Sequence, residues 1–274
     1  NKDGSFSTQS ARERNLVQVG KELNRMGYKD INMKNLGARH VTKLVNQWKE
    51  NGITTATIKN RMSHVRWLSE KINKANIVPR TNAELGIDKR RYSNNNINKS
   101  QEIDSTKHNK LSDGHKLAIE LQREFGLRRA ESLKFQPDKA NHGTHIKLDT
   151  TWCKGGRERE IPILTESQRD LIERCKEHAS GGSMIPENKT YHQEMKCFEK
   201  SCERAEIKNV HGFRHAYAQE RYKEITGRDC PKNAGLTSRQ LNDEQKQIDY
   251  DARMQISSDL GHNREEITTR YLGR

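Results

Sequence analysis

The chain has 274 residues, a length that suits one large domain or two modest ones. Lys and Arg number 51 and Asp and Glu number 37, which gives a formal net charge of +14 at pH 7. Hydrophobic residues make up 31% of the chain, enough for two small cores, and no apolar run is long enough to span a membrane. The first four residues lack the pattern of a signal peptide, so no membrane partner is expected. The surplus of positive charge favours an anionic partner, most commonly nucleic acid, over a merely soluble basic surface.

The cysteines favour a reduced, cytoplasmic protein. Their number is odd, and no Cys-x-x-Cys pair occurs among them: Cys153, Cys175, Cys197, Cys202 and Cys230. This pattern is typical of free thiols and argues against a disulfide framework or a zinc ribbon.

Residues 1–88 are predicted to form a small helical bundle, because apolar residues recur there at helical spacing in three stretches. The stripes are Leu16, Val19, Leu23 and Met26; then Val41, Leu44, Val45 and Trp48; then Ile58, Met62, Val65, Leu68 and Ile72. Thr54 or Thr55 is placed to cap the third helix. The third helix also has cations away from its apolar stripe, which could contact a DNA backbone or equally form a solvated surface: Lys59, Arg61, Arg66 and Lys71.

Residues 89–110 are predicted to form an interdomain linker. The composition shifts there to Asn, Ser, Lys and Thr, and Ile97 and Ile103 are the only aliphatic residues between Arg90 and Asn109. A second domain is expected over 111–274. It opens with a helical pattern at Leu117 and Leu121, and two strand-like runs follow, 145–152 and 159–163, around the turn at Gly155-Gly156. The predicted fold is therefore mainly α with a small antiparallel β-sheet, of the α+β class.

Two segments in the first half of this domain carry basic side chains beside glycine turns. Arg128 follows a Gly-Leu turn and precedes Glu131 by three residues, which is also the spacing of an ordinary helix-surface ion pair. Lys154 lies at the predicted hairpin turn, with Arg157 and Arg159 as further candidates for DNA contacts. Each signal is weak when taken alone.

Two further segments lie towards the end of the chain. His211 and Arg214 are three residues apart, so on a helix they could reach one phosphate. His211 and His215 have the spacing of a helical zinc pair, but the usual glutamate and a third ligand are missing, so no metal is expected. His262 follows Leu-Gly, and Tyr271 comes nine residues later. A lone Tyr in such a place is more commonly a core residue.

The order of these residues is more specific than any one of them. An Arg, a Lys on a hairpin, His-x-x-Arg, Leu-Gly-His and then a Tyr together resemble the tyrosine recombinases, or phage-type integrases. The resemblance covers residues from about 111 to the end, and the N-terminal bundle is similar to the family's SAM-like core-binding domain.

The resemblance implies a role for each matching residue. Arg128 and Arg214 would bind the scissile phosphate, and Tyr271 would be the nucleophile. Lys154, His211 and His262 would complete the catalytic set, and Glu131 would brace the first arginine. Two departures stand out: His262 follows Arg214 by 48 positions, more than is usual in the family, and only three residues follow Tyr271. The extra residues are expected around 226–247.

The resemblance also implies the function. We expect a site-specific DNA recombinase that cuts and rejoins strands through a 3′-phosphotyrosyl intermediate, without metal, ATP or another cofactor, and that integrates or excises a mobile element. The expected partners are double-stranded DNA, a homotetramer on that DNA, and an accessory DNA-bending protein or excision factor. A bacterial, phage or mobile-element origin and a cytoplasmic, nucleoid-associated location would follow. The alternatives are a Xer-like chromosome or plasmid dimer resolvase, a type IB topoisomerase, a catalytically idle DNA-binding regulator and a metal-dependent nuclease.

Overall fold

The computed structural model describes residues 3–89 and 97–274. The chain divides into two compact units, Asn1–Tyr92 and Ser93–Arg274, and each has its own hydrophobic core. Within the described residues no helix is long and apolar enough to cross a membrane.

The first unit is the helical bundle that the apolar spacing predicts. Its helices are α1 (Phe6–Arg25), α2 (Ala38–Glu50) and α3 (Thr55–Lys71), followed by two single 3₁₀ turns, Ala75–Ile77 and Ala83–Leu85. The hydroxyl of Thr54 accepts a hydrogen bond from the Thr57 amide at 3.3 Å, so Thr54 is the N-cap of α3. Trp48 is fully buried, and its indole N–H donates to Glu22 at 2.6 Å, which ties α2 to α1.

The second unit is mostly helical. Its α-helices are α4 (Ser105–His108), α5 (Asp113–Glu124), α6 (Arg129–Lys134), α7 (Pro137–Ala140), α8 (Glu166–Ala179), α9 (Tyr191–Arg204), α10 (Gly212–Thr226), α11 (Asp243–Asp259) and α12 (Thr269–Leu272). Single 3₁₀ turns lie at Pro231–Asn233 and Glu265–Thr268. Helix α10 packs against α5, α11 and α12, so it connects most of the segments singled out in the sequence.

The small sheet is the predicted hairpin. Strand β1 (His145–Leu148) pairs antiparallel with β2 (Arg159–Pro162), and Leu148 lies opposite Arg159. Ile146, Leu148 and Ile161 are fully buried. Because side chains alternate along a strand, Arg159 faces the same buried side as Ile161, while Glu160 is exposed.

The predicted linker over 89–110 differs from the structure in its second half. Residues 90–96 lie outside the described residues, whereas residues 97–110 belong to the second unit. The Asn98 side chain hydrogen-bonds with Gln219, and the Gln101 amide donates to the Gly212 carbonyl at 3.2 Å. Hydrogen bonding to α10 thus holds a segment whose polar composition predicts mobility.

Candidate active site

The turn before α6 brings Arg128 close to the His-x-x-Arg motif of α10. Gly126 has φ of +61°, and a Cβ built on it would lie 2.5 Å from the ring of Tyr217, so this position needs glycine. The Gly126 carbonyl accepts a hydrogen bond from Nη1 of Arg214 on α10. Close backbone packing therefore places Arg128, two residues later, beside Arg214.

The carbonyl of Leu260 joins both arginines to the Leu-Gly-His segment, residues 260–262. It accepts from Nη2 of Arg128 at 3.0 Å and also from Nη2 of Arg214. The following Gly261 has φ of +66°, and a Cβ there would lie 3.0 Å from the Arg159 guanidinium. His262 comes next, with its Nε2 atom 3.5 Å from Nη2 of Arg128. Arg128 and Arg214 thus share one backbone oxygen, and His262 lies beside Arg128.

Glu131 is the buried anion beneath these cations. Its carboxylate accepts from Arg128 Nη1 at 2.6 Å and from Arg159 Nη2 at 2.7 Å, and Arg214 lies 4.0 Å away. Burial raises the pKa of Glu131, but the Arg159 hydrogen bonds and the charges of the three arginines outweigh it and hold the pKa at about 2. The carboxylate is therefore ionised and hydrogen-bonded to two arginines, while its role as a brace for catalysis stays a prediction.

Arg159 corrects one expectation. Its side chain is only 5% exposed, and its guanidinium donates to Glu131 and, at 2.8 Å, to the carbonyl of Asp259. The prediction that Arg159 contacts DNA from the surface is therefore wrong. Strand alternation turns this residue inward, where it supports Glu131 from below.

Tyr271 lies directly over the second arginine. Nε of Arg214 donates to the Tyr271 hydroxyl at 3.4 Å, and the ring of Tyr271 is centred 4.6 Å from that of His215 and 6.0 Å from that of His211. Tyr271 is only 6% exposed, and Arg214 has no exposed surface. Burial lowers the pKa of Arg214 to about 10, so the guanidinium stays charged at neutral pH.

The histidines of the site are neutral near pH 7. Burial, together with the charges of Arg214 and Arg128, lowers the pKa of His262 to about 4. His211, the N-cap of α10, keeps part of its surface exposed, yet desolvation of its ring and the same two charges lower its pKa. Neutral imidazoles can both donate and accept protons at a reacting phosphate.

Lys154 is apart from this cluster. It is exposed on the connection between β1 and β2, and within the described residues its ammonium has no hydrogen bond or ion pair. The preceding residue, Cys153, is buried and accepts from Arg159 at 3.5 Å. The connection between the strands is thus fixed at Cys153, next to Lys154. The catalytic role of Lys154 stays a prediction, and so does the DNA contact of the exposed Arg157.

The basic residues of α3 have varied surroundings. Arg61 pairs with Glu22 at 3.2 Å, and Arg66 donates to Pro79 and Asn82 in its own unit. The remaining two are Lys59, which is half-buried, and Lys71, which is exposed and pairs with Asp3 at 2.8 Å. Their contacts with DNA stay predictions.

His215 is a neighbour of Tyr271 that the sequence motifs do not reveal. In the sequence His215 stands out only as half of a zinc pair, and the described residues hold no group of three or more His, Cys, Asp or Glu side chains placed to bind a metal. His215 is 6% exposed, and its Nδ1 atom is buried without a hydrogen-bond partner. Its position directly after Arg214 was the available signal.

The environment of His215 predicts a pH dependence of stability. Burial and the neighbouring cations lower its pKa to about 3, whereas an unfolded histidine takes up its proton near 6.5. Acid therefore favours the unfolded state between these two values. From pH 7.5 to 5.5 the cost is about 1.4 kcal/mol for this one group. Over this pH step the free energy of unfolding, measured in urea, should fall by about 1.4 kcal/mol less in His215→Phe than in the unaltered protein. His192→Phe, an exposed position on α9, should behave like the unaltered protein; equal losses in all three proteins would contradict the assignment.

Two family models match the chain. The phage integrase N-terminal model matches residues 1–78, and the integrase model matches residues 88–220, which includes Arg128, Lys154, His211 and Arg214. The chain belongs to the phage integrase family of tyrosine recombinases. The second model ends before His262 and Tyr271, which the structure brings next to Arg128 and Arg214.

Solved integrase structures share the fold at low identity. The lambda integrase dimer bound to a COC′ core site has a TM-score of 0.61 at 15% identity, covering 100% of this chain and 91% of that one. The Tn1549 transposon integrase bound to circular-intermediate DNA has a TM-score of 0.57 at 15% identity, covering 100% and 92%. The XerH recombinase bound to its difH substrate has a TM-score of 0.53 at 16% identity, covering 88% and 67%. No curated protein sequence matches the chain.

Proposed function

We propose that this integrase-family chain is a site-specific DNA recombinase with Tyr271 as its nucleophile and a 3′-phosphotyrosyl intermediate. One observation carries the proposal: the Tyr271 hydroxyl contacts Arg214, which shares the Leu260 carbonyl with Arg128. A potential nucleophile and two fixed guanidiniums thus lie within one small volume.

The two arginines would bind the scissile phosphate. A planar guanidinium donates two parallel hydrogen bonds to a phosphate, and its charge stabilises the negative charge that grows as phosphorus is attacked. Arg214 is fully buried, so an incoming phosphate oxygen must replace one of its present contacts. The 3.4 Å contact with the Tyr271 hydroxyl is long for a hydrogen bond, which makes it the one to yield. The hydroxyl would then lie beside the phosphorus that it attacks.

The proposed step exchanges one phosphoester bond for another. The Tyr271 oxygen bonds to phosphorus as its proton leaves, and the bond from phosphorus to the 5′ oxygen breaks. His211 and His262, neutral near pH 7, can take or relay the proton. The departing 5′ oxygen needs a proton, which Lys154 would supply once its connection closes onto DNA. Because the tyrosyl ester conserves the energy of the broken bond, a second 5′ hydroxyl can reverse the reaction without ATP.

The proposed partners are double-stranded DNA and further copies of the chain. Similar solved structures are DNA complexes, and one of them, at 13% identity and a TM-score of 0.51, is a lambda integrase tetramer bound to a Holliday junction. We propose a tetramer on DNA and a role in moving a mobile element, with accessory bending or excision factors. The similarity to XerH keeps dimer resolution as the alternative role.

Covalent trapping tests the function. Duplexes selected from a random pool by binding to the protein would be nicked just 3′ of each candidate cleavage position, so that the short fragment released with a 5′ hydroxyl diffuses away. We expect a DNA–protein adduct that survives denaturation, and excess EDTA should leave its yield within about twofold because no step uses a metal. Binding without any adduct would indicate an idle regulator, and loss of cleavage in EDTA would indicate a metal-dependent nuclease.

A further inference from the structure

One cation beside Tyr271 belongs to none of the motifs noted in the sequence. Lys232 lies in the 3₁₀ turn Pro231–Asn233, between α10 and α11, and is half-buried. Its ammonium donates a hydrogen bond to the carbonyl of Arg270, the residue before Tyr271. Because an ammonium group has three N–H donors, two of them have no partner among the described residues and are available to a ligand.

A second cation comes from the polar segment ahead of α4. Lys99 has an exposed side chain, whereas its backbone is packed against the start of α10. Its carbonyl accepts from the Asn209 side chain at 3.3 Å, and a Cβ built on Gly212 would lie 2.5 Å from the same oxygen. The ammonium therefore extends from a fixed point next to His211, the N-cap of α10.

A chain of hydrogen bonds joins the backbones that carry the two lysines. The residue before the first lysine, Asn98, donates to the residue after the second, Asn233, at 2.6 Å. Asn98 also accepts from Gln219 at 2.8 Å, and Gln219 donates to the Tyr271 carbonyl at 2.9 Å. Two distant parts of the chain are thus tied to each other and to the backbone of Tyr271.

The charges of the two lysines act on the site without a carboxylate between them. Burial, and then the charge of Lys99, lowers the pKa of Lys232. Burial is also the main cause of the lowered pKa of His211 and His215, and Lys99 adds to it in both. Among the described residues no Asp or Glu side chain pairs with either ammonium. The result is a local positive potential that a bound anion would neutralise.

A DNA backbone supplies such an anion at this place. In the proposed reaction Arg128 and Arg214 bind the scissile phosphate, and Tyr271 attacks it. Each strand of duplex DNA carries one phosphate per about 3.4 Å of helix axis, so neighbouring phosphates lie beside the tyrosine as well. A lysine suits a flanking phosphate, because its ammonium neutralises charge without imposing the planar two-bond geometry of a guanidinium.

We propose that Lys99 and Lys232 form a second phosphate site, which binds a DNA backbone phosphate next to the scissile one. The site holds the strand in place for attack by Tyr271, and neither lysine takes part in the bond exchange. This inference rests on the proposed function, since it takes DNA as the ligand. It gives a role to two stretches outside the motifs, the polar segment before α4 and the extra length between α10 and α11.

Replacement of single phosphates tests the contact. In a selected duplex each phosphate in turn would be changed to an uncharged methylphosphonate, and binding would be measured with Tyr271→Phe protein, which cannot cleave. At one flanking position the methylphosphonate should weaken binding about fivefold, as expected for the loss of one charged contact. When Lys99→Met is added, the same methylphosphonate should weaken binding less than twofold, because the contact is already lost.

Two further variants serve as controls for Lys99→Met. Lys110→Met removes an equal charge from an exposed lysine of the same unit that has no ion pair among the described residues. With Lys110→Met, and with the charge-conserving Lys99→Arg, the methylphosphonate at that position should still weaken binding about fivefold. Full sensitivity at every position in Lys99→Met, or an equal loss of sensitivity in Lys110→Met, would overturn the proposal.

Lys232→Met tests whether the two lysines share one phosphate. It should abolish sensitivity at the same position as Lys99→Met, and loss at a different position would contradict a shared site. Because Lys232 also bonds to the Arg270 carbonyl, binding by the Tyr271→Phe protein is the measurement, not adduct yield. Changing both lysines should reduce the slope of log affinity against log salt by about 0.9, the value for one phosphate.

The binding measurement separates this proposal from the proposed function, because it needs no cleavage. If the unaltered protein formed no adduct, the recombinase function would fail, while a phosphate-specific effect of Lys99→Met would still support the second phosphate site. If the unaltered protein formed the adduct but neither lysine showed a phosphate-specific effect, the proposed function would stand and the second phosphate site would be wrong.

Discussion

A Tyr271→Phe variant should form no covalent adduct with DNA yet should bind DNA as tightly as the unaltered protein. The substitution removes one oxygen, and among the described residues that oxygen makes a single, long hydrogen bond, 3.4 Å from Nε of Arg214. Losing such a bond costs at most about 1 kcal/mol of folding stability. Loss of the nucleophile should lower the adduct yield by at least about 1,000-fold. Trapping on nicked duplexes and a separate filter-binding titration would measure the two effects.

Tyr250→Phe is the matched control for this prediction. Tyr250 lies on α11 with half of its surface exposed, so the same change there should leave both adduct formation and binding intact. An adduct that persisted in Tyr271→Phe would mean that another residue attacks phosphorus. A large loss of DNA affinity in Tyr271→Phe would mean that the hydroxyl contributes to binding the DNA rather than to the reaction alone.

The main features of the fold were accessible from the sequence because they depend on local pattern. Spacings of three and four residues predict α1, α2 and α3, and the Gly155-Gly156 turn between two strand-like runs predicts the hairpin. The same holds for the proposed catalytic set, since most of its members belong to short motifs with fixed spacing. The structure brings Arg128, His211, Arg214, His262 and Tyr271 together.

The supporting residues were not accessible, because their roles arise from contacts between distant parts of the chain. Arg159 reads as one more cation on a basic turn, and only the packing of β2 turns it toward Glu131, 28 residues earlier. Gln219 lies 52 residues before the carbonyl that it holds. Polar residues such as these carry no periodic signal. In the same way, the polar composition of residues 97–110 predicts a mobile linker, whereas in the structure hydrogen bonds tie this segment to α10.

Among single substitutions in the site, Glu131→Gln should lower the free energy of unfolding the most. The side chain is fully buried, and its carboxylate is the shared counter-charge of Arg128 and Arg159, with Arg214 nearby. The amide keeps the shape but leaves three guanidiniums facing one another without a negative charge. Removing one partner from a buried ion pair costs about 3–5 kcal/mol, which urea unfolding would measure. Glu199→Gln is the matched control, because Glu199 is 38% exposed and pairs with Arg129 and Lys196, and its loss should cost less than about 1 kcal/mol.

The pH dependence of the same group gives an independent check of this cost. The folded state holds the pKa of Glu131 at about 2, below the ordinary value of 4.5, so the carboxylate stabilises the fold fully above pH 4.5, and that stabilisation is lost as the pH falls towards 2. The unaltered protein should therefore lose more stability than Glu131→Gln between pH 5 and pH 3, because the variant has no proton to take up at this position. Parallel losses in the two proteins would mean that the Glu131 carboxylate does not hold the arginines. The arrangement of Arg128 and Arg214 would then have to come from the Gly126 and Leu260 carbonyls alone.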